Sequence, residues 1–207
     1  MKISEVGFLI FLCIIGLFTT NIQRVQSQDE TEYIYILGNG TVFSSTNTTI
    51  PIQRNENNYT FIDDIFATSL IVQRSNIIID GANFNLAGQG LAGIDLSFTN
   101  GVTIKNVNIM GSFDYGVYLE DTIGTTITDN YIVGNGRGIV LYNSLQNTIS
   151  GNSITGNQIG IELQSASNNI FRDNMLNNIY NFGIFGTDKS HYINDIDSTN
   201  LVNDKRV

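Results

Sequence analysis

Short runs that alternate apolar and polar residues, separated by Gly and Asn, recur between residues 79 and 193 at a step of 22 to 25 residues. The three clearest copies are residues 127–132, 149–154 and 171–176. Their asparagines lie 22 residues apart, at Asn130, Asn152 and Asn174. A second ladder, Gly followed by Ile or Val, starts at Gly93, Gly116, Gly138, Gly160 and Gly183. A fixed period of this size is typical of a solenoid, in which stacked copies share one core.

Each copy predicts three short strands, because its alternating runs end at Gly and Asn corners. Stacking the copies buries their apolar residues in columns and pairs neighbouring coils in parallel, about 4.8 Å apart. The predicted columns are Ile127, Ile149 and Phe171; Ile132, Ile154 and Leu176; Ile139, Ile161 and Ile184. The three asparagines are expected to form a structural ladder in which each amide donates to the next. The predicted fold class is all-β, a single-stranded right-handed parallel β-helix of about five to six coils.

Two other repeat architectures fit this pattern less well. A leucine-rich repeat needs a regular Leu pattern and a longer helical half, and the sequence has neither. A helical repeat needs apolar residues at spacings of three and four rather than two. Pro51 is the only proline, as a chain of hydrogen-bonded strands requires.

Residues 1–27 are predicted to be a secretory signal. Lys2 precedes 11 apolar residues at positions 8–18, a run shorter than the roughly 20 residues of a membrane span. The alternative is that the segment is kept as an N-terminal anchor. Its cleavage would remove the only cysteine, Cys13, and change the net charge from −9 to −10 through loss of Lys2, Arg24 and Glu5. An acidic chain without a basic stripe argues against nucleic acid or anionic lipid partners. No other apolar stretch approaches spanning length, which predicts no membrane insertion after cleavage.

The rest of the chain is predicted to form an N-terminal cap over residues 28–58 and the β-helix over residues 59–190. The cap carries three sequons, at Asn39, Asn47 and Asn58, which are candidate glycosylation sites in a secreted protein. Residues 191–207 are predicted to be a C-terminal linking segment. We therefore expect a truncated product, or one that needs further β-helix coils or a partner at that edge.

Residues 147–157, followed by Gly-Ile-Glu-Leu at 160–163, resemble the parallel β-helix repeat of NosD-type periplasmic copper-binding proteins. They are also similar to the wider group of carbohydrate-binding and sugar hydrolysis β-helix proteins. Residues 51–54, 59–60 and 77–81 resemble the first segment of such proteins. The resemblance covers about residues 33–207. It implies a pectate-lyase-like solenoid that is secreted, periplasmic or extracellular, and associated with the cell surface. The family name implies copper.

The sequence does not predict a copper site. Copper is held by imidazole, thiolate or thioether ligands. Beyond residue 27, the chain offers only His191, Met110 and Met175. We interpret the two methionines, which belong to different coils, as packing residues, and His191 as a surface turn residue. No metal site and no cofactor are predicted.

The third strand of each coil predicts the most informative surface. Where its Ile and Val residues point inward, the residues that follow them point outward. One outward row is predicted to hold Asp95, Tyr118, Val140, Glu162 and Phe185, and the next Ser97, Glu120, Tyr142, Gln164 and Thr187. Aromatic rings can stack on sugars, and carboxylates accept hydrogen bonds from their hydroxyl groups. The predicted ligand-binding residues are Tyr118, Tyr142, Phe185, Asp95, Glu120 and Glu162.

These residues leave three functions open. The favoured one is a secreted, non-catalytic surface module that binds carbohydrate or mediates adhesion. The alternative is a polysaccharide-active enzyme (a glycoside hydrolase, lyase or epimerase) with Asp95, Glu120 and Glu162 as candidate catalytic residues. Asp95 and Glu120 would lie roughly 8 Å apart at their Cα atoms, a separation similar to that in inverting glycosidases. The third possibility is an inert fragment of a larger surface protein.

Overall fold

A computed structural model of the chain describes residues 32–207 and shows a β-solenoid of about seven turns. The predicted all-β parallel β-helix is confirmed, with slightly more coils than the five to six expected. The predicted secretory signal, residues 1–27, lies outside the described residues. Among residues 32–207, no helix has the length and apolar character that a membrane crossing requires.

Each regular coil consists of three short strands joined by corners. The described chain contains the following strands and one short 3-10 helix, Lys189–Tyr192: β1 Tyr33–Ile36, β2 Val42–Ser44, β3 Ile52–Asn55, β4 Asn58–Phe61, β5 Ile65–Phe66, β6 Ser69–Val72, β7 Ile78–Asp80, β8 Asn85–Asp95, β9 Thr103–Lys105, β10 Asn108–Glu120, β11 Thr126–Thr128, β12 Tyr131–Val133, β13 Arg137–Tyr142, β14 Thr148–Ser150, β15 Ser153–Thr155, β16 Ile159–Gln164, β17 Ile170–Arg172, β18 Met175–Asn177, β19 Tyr180–Phe185, β20 Asp195–Ile196, β21 Leu201–Val202 and β22 Lys205–Arg206.

The strands form three faces. The first face is an eight-stranded sheet of β3, β4, β7, β9, β11, β14, β17 and β20. The second and third faces share one fourteen-stranded sheet, because β8 and β10 continue around the corner between them. The second face stacks β5, the first parts of β8 and β10, β12, β15, β18 and β21 in parallel. Glycines allow this close corner, since a Cβ on Gly111 would lie 2.1 Å from the carbonyl oxygen of Gly88. The third face stacks β1, β6, the ends of β8 and β10, β13, β16 and β19 in parallel.

The predicted core columns hold on the first two faces. Ile149 pairs with Ile127 on one side and with Phe171 on the other. Ile154 pairs likewise with Ile132 and Leu176. These side chains have 0% exposure, so burial of one apolar column per strand stabilises each coil against the next at about 25 cal/mol per Å² of apolar surface.

On the third face, the predicted column of Ile139, Ile161 and Ile184 is wrong in its last step. Ile161 pairs with Ile139 as expected, but its partner in the next coil is Phe182, while Ile184 pairs with Leu163. The cause is the preceding corner, where Asn178 occupies the place of Asn157 only 21 residues later. The Gly-Ile pair at residues 183–184 is therefore out of register with the glycine ladder above it.

Asparagine ladders line all three corners. Asn130 donates through Nδ2 to Oδ1 of Asn152 at 3.0 Å, Asn152 donates to Asn174 at 3.0 Å, and Asn200 extends the ladder. The other two ladders are Asn147, Asn169 and Asn194, and Asn135, Asn157, Asn178 and Asn181. Each ladder amide also bonds backbone groups, so the ladders pair most of the buried polar groups at the corners, although Asn135 Oδ1 and Thr125 Oγ1 have no hydrogen-bond partner.

Antiparallel strands lie at both ends of the described solenoid. β2 pairs antiparallel with β1, and β3 pairs antiparallel with β4. At the other end, β20 and β21 pair in parallel with β17 and β18, and β22 folds back antiparallel on β21. Residues 195–206, expected to belong to a linking segment, therefore contribute strands to both sheets, because Asn194 and Asn200 continue two corner ladders.

Candidate functional site

The third face carries two outward rows that run along the solenoid axis. The first holds Asp95, Tyr118, Val140, Glu162 and Gly183, and the second holds Ser97, Glu120, Tyr142, Gln164 and Phe185. The sequence placed Phe185 in the first row and Thr187 at the end of the second. Both placements are wrong, because β19 follows β16 by 21 residues, two fewer than the 23-residue step from Gly160 to Gly183 suggested. Phe185 therefore lies beside Gln164, in the same row as Tyr142.

Glu162 does not present its carboxylate to solvent, contrary to its predicted role on an open carboxylate face. Its side chain is 3% exposed and forms an ion pair with Nε of Arg137. Its other oxygen accepts a hydrogen bond from Nε2 of Gln164. The neighbouring Val140 is also buried, at 2% exposure. The centre of the first row is thus a closed, charge-paired patch, and the open polar groups lie on either side of it.

Stacked aromatic rings flank this buried pair. Tyr115 and Tyr118 stack with ring centroids 4.9 Å apart and planes inclined by 19°. The guanidinium of Arg137 lies over the Tyr115 ring, 5.5 Å from its centroid. The Tyr118 hydroxyl donates to Glu120 at 3.3 Å. Burial, and then the nearby Glu120 carboxylate, raise the pKa of Tyr118 above its ordinary range. Glu120 is thereby held against a neutral phenol.

Asp95 and Glu120 occupy neighbouring coils of this face, since Asp95 pairs with Tyr118 and Glu120 follows two residues later. Asp95 Oδ1 accepts hydrogen bonds from the backbone N–H of Ser97 at 2.9 Å and from its hydroxyl at 2.6 Å. Both carboxylates are half-buried. Each accepts from a local donor, an arrangement that orients a carboxylate for accepting hydrogen bonds.

A cleft of about 390 Å³ lies beside the end of the second row. Three rings line it with substantial exposure: Tyr142 at 43%, Phe185 at 55% and Tyr192 at 55%. The other residues that line the cleft are Gln164, Ser165, Ile184, Gly186 and Thr187. The cleft is shallow and open to solvent, and exposed rings from separate elements around such a surface can stack on an amphipathic ligand.

An enlarged corner builds one wall of this cleft. Asn194 follows Asn169 by 25 residues, whereas Asn169 follows Asn147 by 22. The extra residues form the 3-10 helix Lys189–Tyr192, and the Tyr192 hydroxyl donates to the carbonyl of Gly186 at 2.8 Å. Sequence reasoning missed Tyr192 and Arg137 as members of this face. The longer step was the available signal for Tyr192, because insertions in a regular solenoid form loops on its surface.

The predicted glycosylation sites lie at the opposite end of the solenoid. Asn39, Asn47 and Asn58 are exposed. Asn39 accepts a hydrogen bond from the backbone N–H of Thr41 at 2.9 Å. These side chains are accessible, and their modification remains a prediction.

Comparison with known proteins identifies the family. The model of the family described as "Periplasmic copper-binding protein (NosD)" matches residues 16–205. The chain belongs to the NosD family. NosD proteins are a periplasmic family, which is consistent with a periplasmic or extracellular location. No curated protein and no solved structure matches the chain.

The NosD family name implies copper, but the soft and imidazole side chains of the described residues do not converge on one site. His191 Nδ1 accepts from the backbone N–H groups of Thr187 and Asp188, each at 3.3 Å. Met110 and Met175 lie on β10 and β18, separated by three strand steps and by two residues along the strand, roughly 16 Å apart at their Cα atoms. Residues 32–207 contain no group of three or more His, Cys, Asp or Glu placed to hold a metal. Because copper needs soft or imidazole ligands that converge, these residues do not fit a copper site.

Proposed function

We propose that this NosD-family protein is a surface β-helix that binds carbohydrate without cleaving it, through the aromatic cleft at the end of the third face. The observation that carries the proposal is the convergence of the exposed Tyr142, Phe185 and Tyr192 rings around one cleft. Sugar rings present an apolar face of C–H groups, and aromatic side chains provide a matching platform.

Polar groups beside the rings supply directional hydrogen bonds. Gln164 lines the cleft at the end of the second row, and Glu120 lies two coils earlier in the same row, next to Tyr142. A carboxylate accepts hydrogen bonds from hydroxyl groups, while a primary amide both donates and accepts. Rings flanked by such groups have the composition expected of a site that recognises a polyhydroxylated ligand.

Binding is favoured over hydrolysis because one of the three candidate acids is buried in an ion pair. Glu162 is buried against Arg137 and Gln164, so it is not placed to exchange a proton with a substrate. Asp95 and Glu120 remain, and each accepts a hydrogen bond from a neighbouring side chain. A glycosidase needs one carboxyl group as acid and a second as base or nucleophile, so of the three candidates only Asp95 and Glu120 remain for the enzyme alternative.

The deciding experiment combines a polysaccharide array with an assay for released reducing ends. The purified protein would be applied to cellulose, xylan, mannan, chitin and pectate. Retention on at least one polymer without release of reducing ends is the expected result. Release that is abolished by Glu120→Gln would replace this proposal with the enzyme alternative. If the protein were not retained on any polymer and released no reducing ends, it would have no carbohydrate function.

We also propose that residues 1–27 are cleaved and that the protein is delivered to the periplasm or the cell exterior. Glycosylation of Asn39, Asn47 and Asn58 is part of the same proposal. The family match and the exposed sequons support it. Mass spectrometry of the secreted product tests both. A product that starts near residue 28 and carries sugar on these asparagines is expected, and an intact, unmodified N-terminal segment on a cell-bound product would contradict them.

A further inference from the structure

One corner of the solenoid contains a residue that breaks the pattern of its column. Asp121, Asn143 and Ser165 occupy equivalent positions in successive coils, just beyond the second row, and all have positive φ, between 50° and 51°. The preceding coil places Phe98 at this position, with φ of 61°. Asn and Asp tolerate the left-handed region because their short polar side chains bond locally, whereas a bulky side chain there is a true outlier.

Burial of the Phe98 side chain does not offset the strain of its backbone. Its side chain is 70% exposed, so it contributes little to the core. Among residues 32–207, it is the only aromatic residue with positive φ. A strained residue that does not support packing points to a role outside folding, because such conformations concentrate at ligand-binding positions.

Phe98 lines a second cleft, of about 400 Å³. Gln73, Asp95 and Ser97 also line it. Ile71 pairs with Asp95, so Gln73 and Ser97 continue the second row toward the N-terminal end. The two clefts therefore lie on one axial row, with Glu120 between them.

The distance between the clefts follows from the strand spacing. Four coil steps separate Ser97 from Phe185, which corresponds to roughly 19 Å at about 4.8 Å per step. One or two sugar rings cannot reach both clefts, but several consecutive rings can. Phe98 at one end and Phe185 with Tyr192 at the other would then contact different sugars of the same chain.

We propose that the ligand is an uncharged polysaccharide chain that lies along the solenoid axis and contacts Phe98 at its second cleft. This inference rests on the proposed carbohydrate binding and adds the ligand's length, direction and charge. Asp95 and Glu120 border the path between the clefts, while the cation of Arg137 is already paired with Glu162. An acidic polymer would meet uncompensated carboxylates on a protein of net charge −9.

The test compares the full-length protein with Phe98→Asn, using cellobiose and cellohexaose, and chitobiose and N-acetylchitohexaose, as probes in titration calorimetry. Phe66→Asn is the matched control, since Phe66 is also 70% exposed but lies on the second face. Tetra- to hexagalacturonate serves as the acidic probe.

Wild-type protein is expected to bind at least one hexasaccharide more tightly than its disaccharide and to bind galacturonates weakly. Phe98→Asn is expected to raise the dissociation constant for that hexasaccharide by about threefold to tenfold. It should also raise the melting temperature by about 2–4 °C, because Asn suits the left-handed conformation. Phe66→Asn should bind as wild type does.

The outcomes separate this inference from the proposed function. Equal affinity for di- and hexasaccharide would overturn the axial arrangement but leave carbohydrate binding intact. Unchanged hexasaccharide binding by Phe98→Asn, or a fall in its melting temperature, would overturn the role of Phe98. Tighter binding of galacturonate would overturn the charge assignment. If wild-type protein bound none of the probes, both the inference and the proposed function would fail.

Discussion

Arg137 donates its Nε–H to the carboxylate of Glu162, a residue 25 positions later and one coil further along the outer surface of the third face. The carboxylate is buried, whereas the Arg137 side chain is 36% exposed and also covers the Tyr115 ring. The ion pair connects two neighbouring coils at the centre of the third face, the face that also carries the aromatic residues.

Removing either partner of this pair should have unequal effects. Arg137→Leu leaves a buried carboxylate without its cation and should lower the free energy of unfolding by about 2–4 kcal/mol. Glu162→Gln leaves Arg137, which can rehydrate, and should cost about 1 kcal/mol. Urea denaturation measures both, with the exposed Arg206→Leu as control. Equal costs for the two variants would show that the ion pair is not buried as described.

The asparagine ladder makes Asn152 costly to replace. Its Nδ2 donates to Ile127, Ser150 and Asn174, and its Oδ1 accepts from Asn130. Asn152→Ala leaves several of these buried groups unpaired, and we expect a loss of about 2–4 kcal/mol in the free energy of unfolding.

The matched control for the ladder is Asn177→Ala, at an exposed strand position. It should change the free energy of unfolding by less than about 0.5 kcal/mol. Similar losses in the two variants, measured by urea denaturation, would contradict a specific role for stacked amides.

Glycines should be intolerant of a methyl group where neighbouring coils approach each other closely. A Cβ on Gly138 would lie 2.5 Å from the carbonyl oxygen of Gly160. Gly138→Ala should therefore destabilise the protein by about 1–3 kcal/mol through overpacking. Gly38→Ala is the control, because its Cβ would meet only ordinary contact at 3.5 Å. Thermal unfolding measures the effect, and equal melting temperatures for the two variants would contradict the described stacking.

Tyr118 should resist ionisation. Burial and the Glu120 carboxylate raise its pKa above the ordinary value, and its hydroxyl donates to Glu120. A raised pKa in the folded state stabilises the protonated form, so this contribution is fully present below about pH 10 and is lost as pH rises through the folded-state pKa. Ultraviolet titration should show one late-ionising tyrosine that is absent in Tyr118→Phe. Identical titration curves for the two proteins would argue against this environment.

The fold could be predicted from the sequence because the repeat constrains almost every coil. Ile149 and Ile154 occupy columns set by the 22-residue period, and burial on one side of each strand leaves no alternative register. The same spacing also connects Asn147 with Asn169 and Asn135 with Asn157, so the signal for two further ladders was present and was missed.

The site was less predictable because it depends on departures from the period. The predicted position of Phe185 was wrong because residues 183–184 repeat the Gly-Ile pair of residues 160–161, which suggested that the two pairs are aligned. The short corner at Asn178 shifts β19 out of that alignment. The burial of Glu162 depends on Arg137 in the preceding coil, which alternation along a single strand cannot reveal. The left-handed conformation of Phe98 is a property of the corner geometry rather than of the residue's own preference.

The most direct test of the carbohydrate-binding face is titration of the protein with N-acetylchitohexaose and cellohexaose, compared with Tyr142→Ala and Phe185→Ala. Tyr131→Ala is the control, because Tyr131 has similar exposure, 39% against 43% for Tyr142, but lies on the second face. We predict that the wild type binds at least one hexasaccharide, that each cleft variant weakens binding by about threefold to tenfold, and that Tyr131→Ala binds normally. Absence of binding by the wild type, or equal loss in the control, would contradict the account.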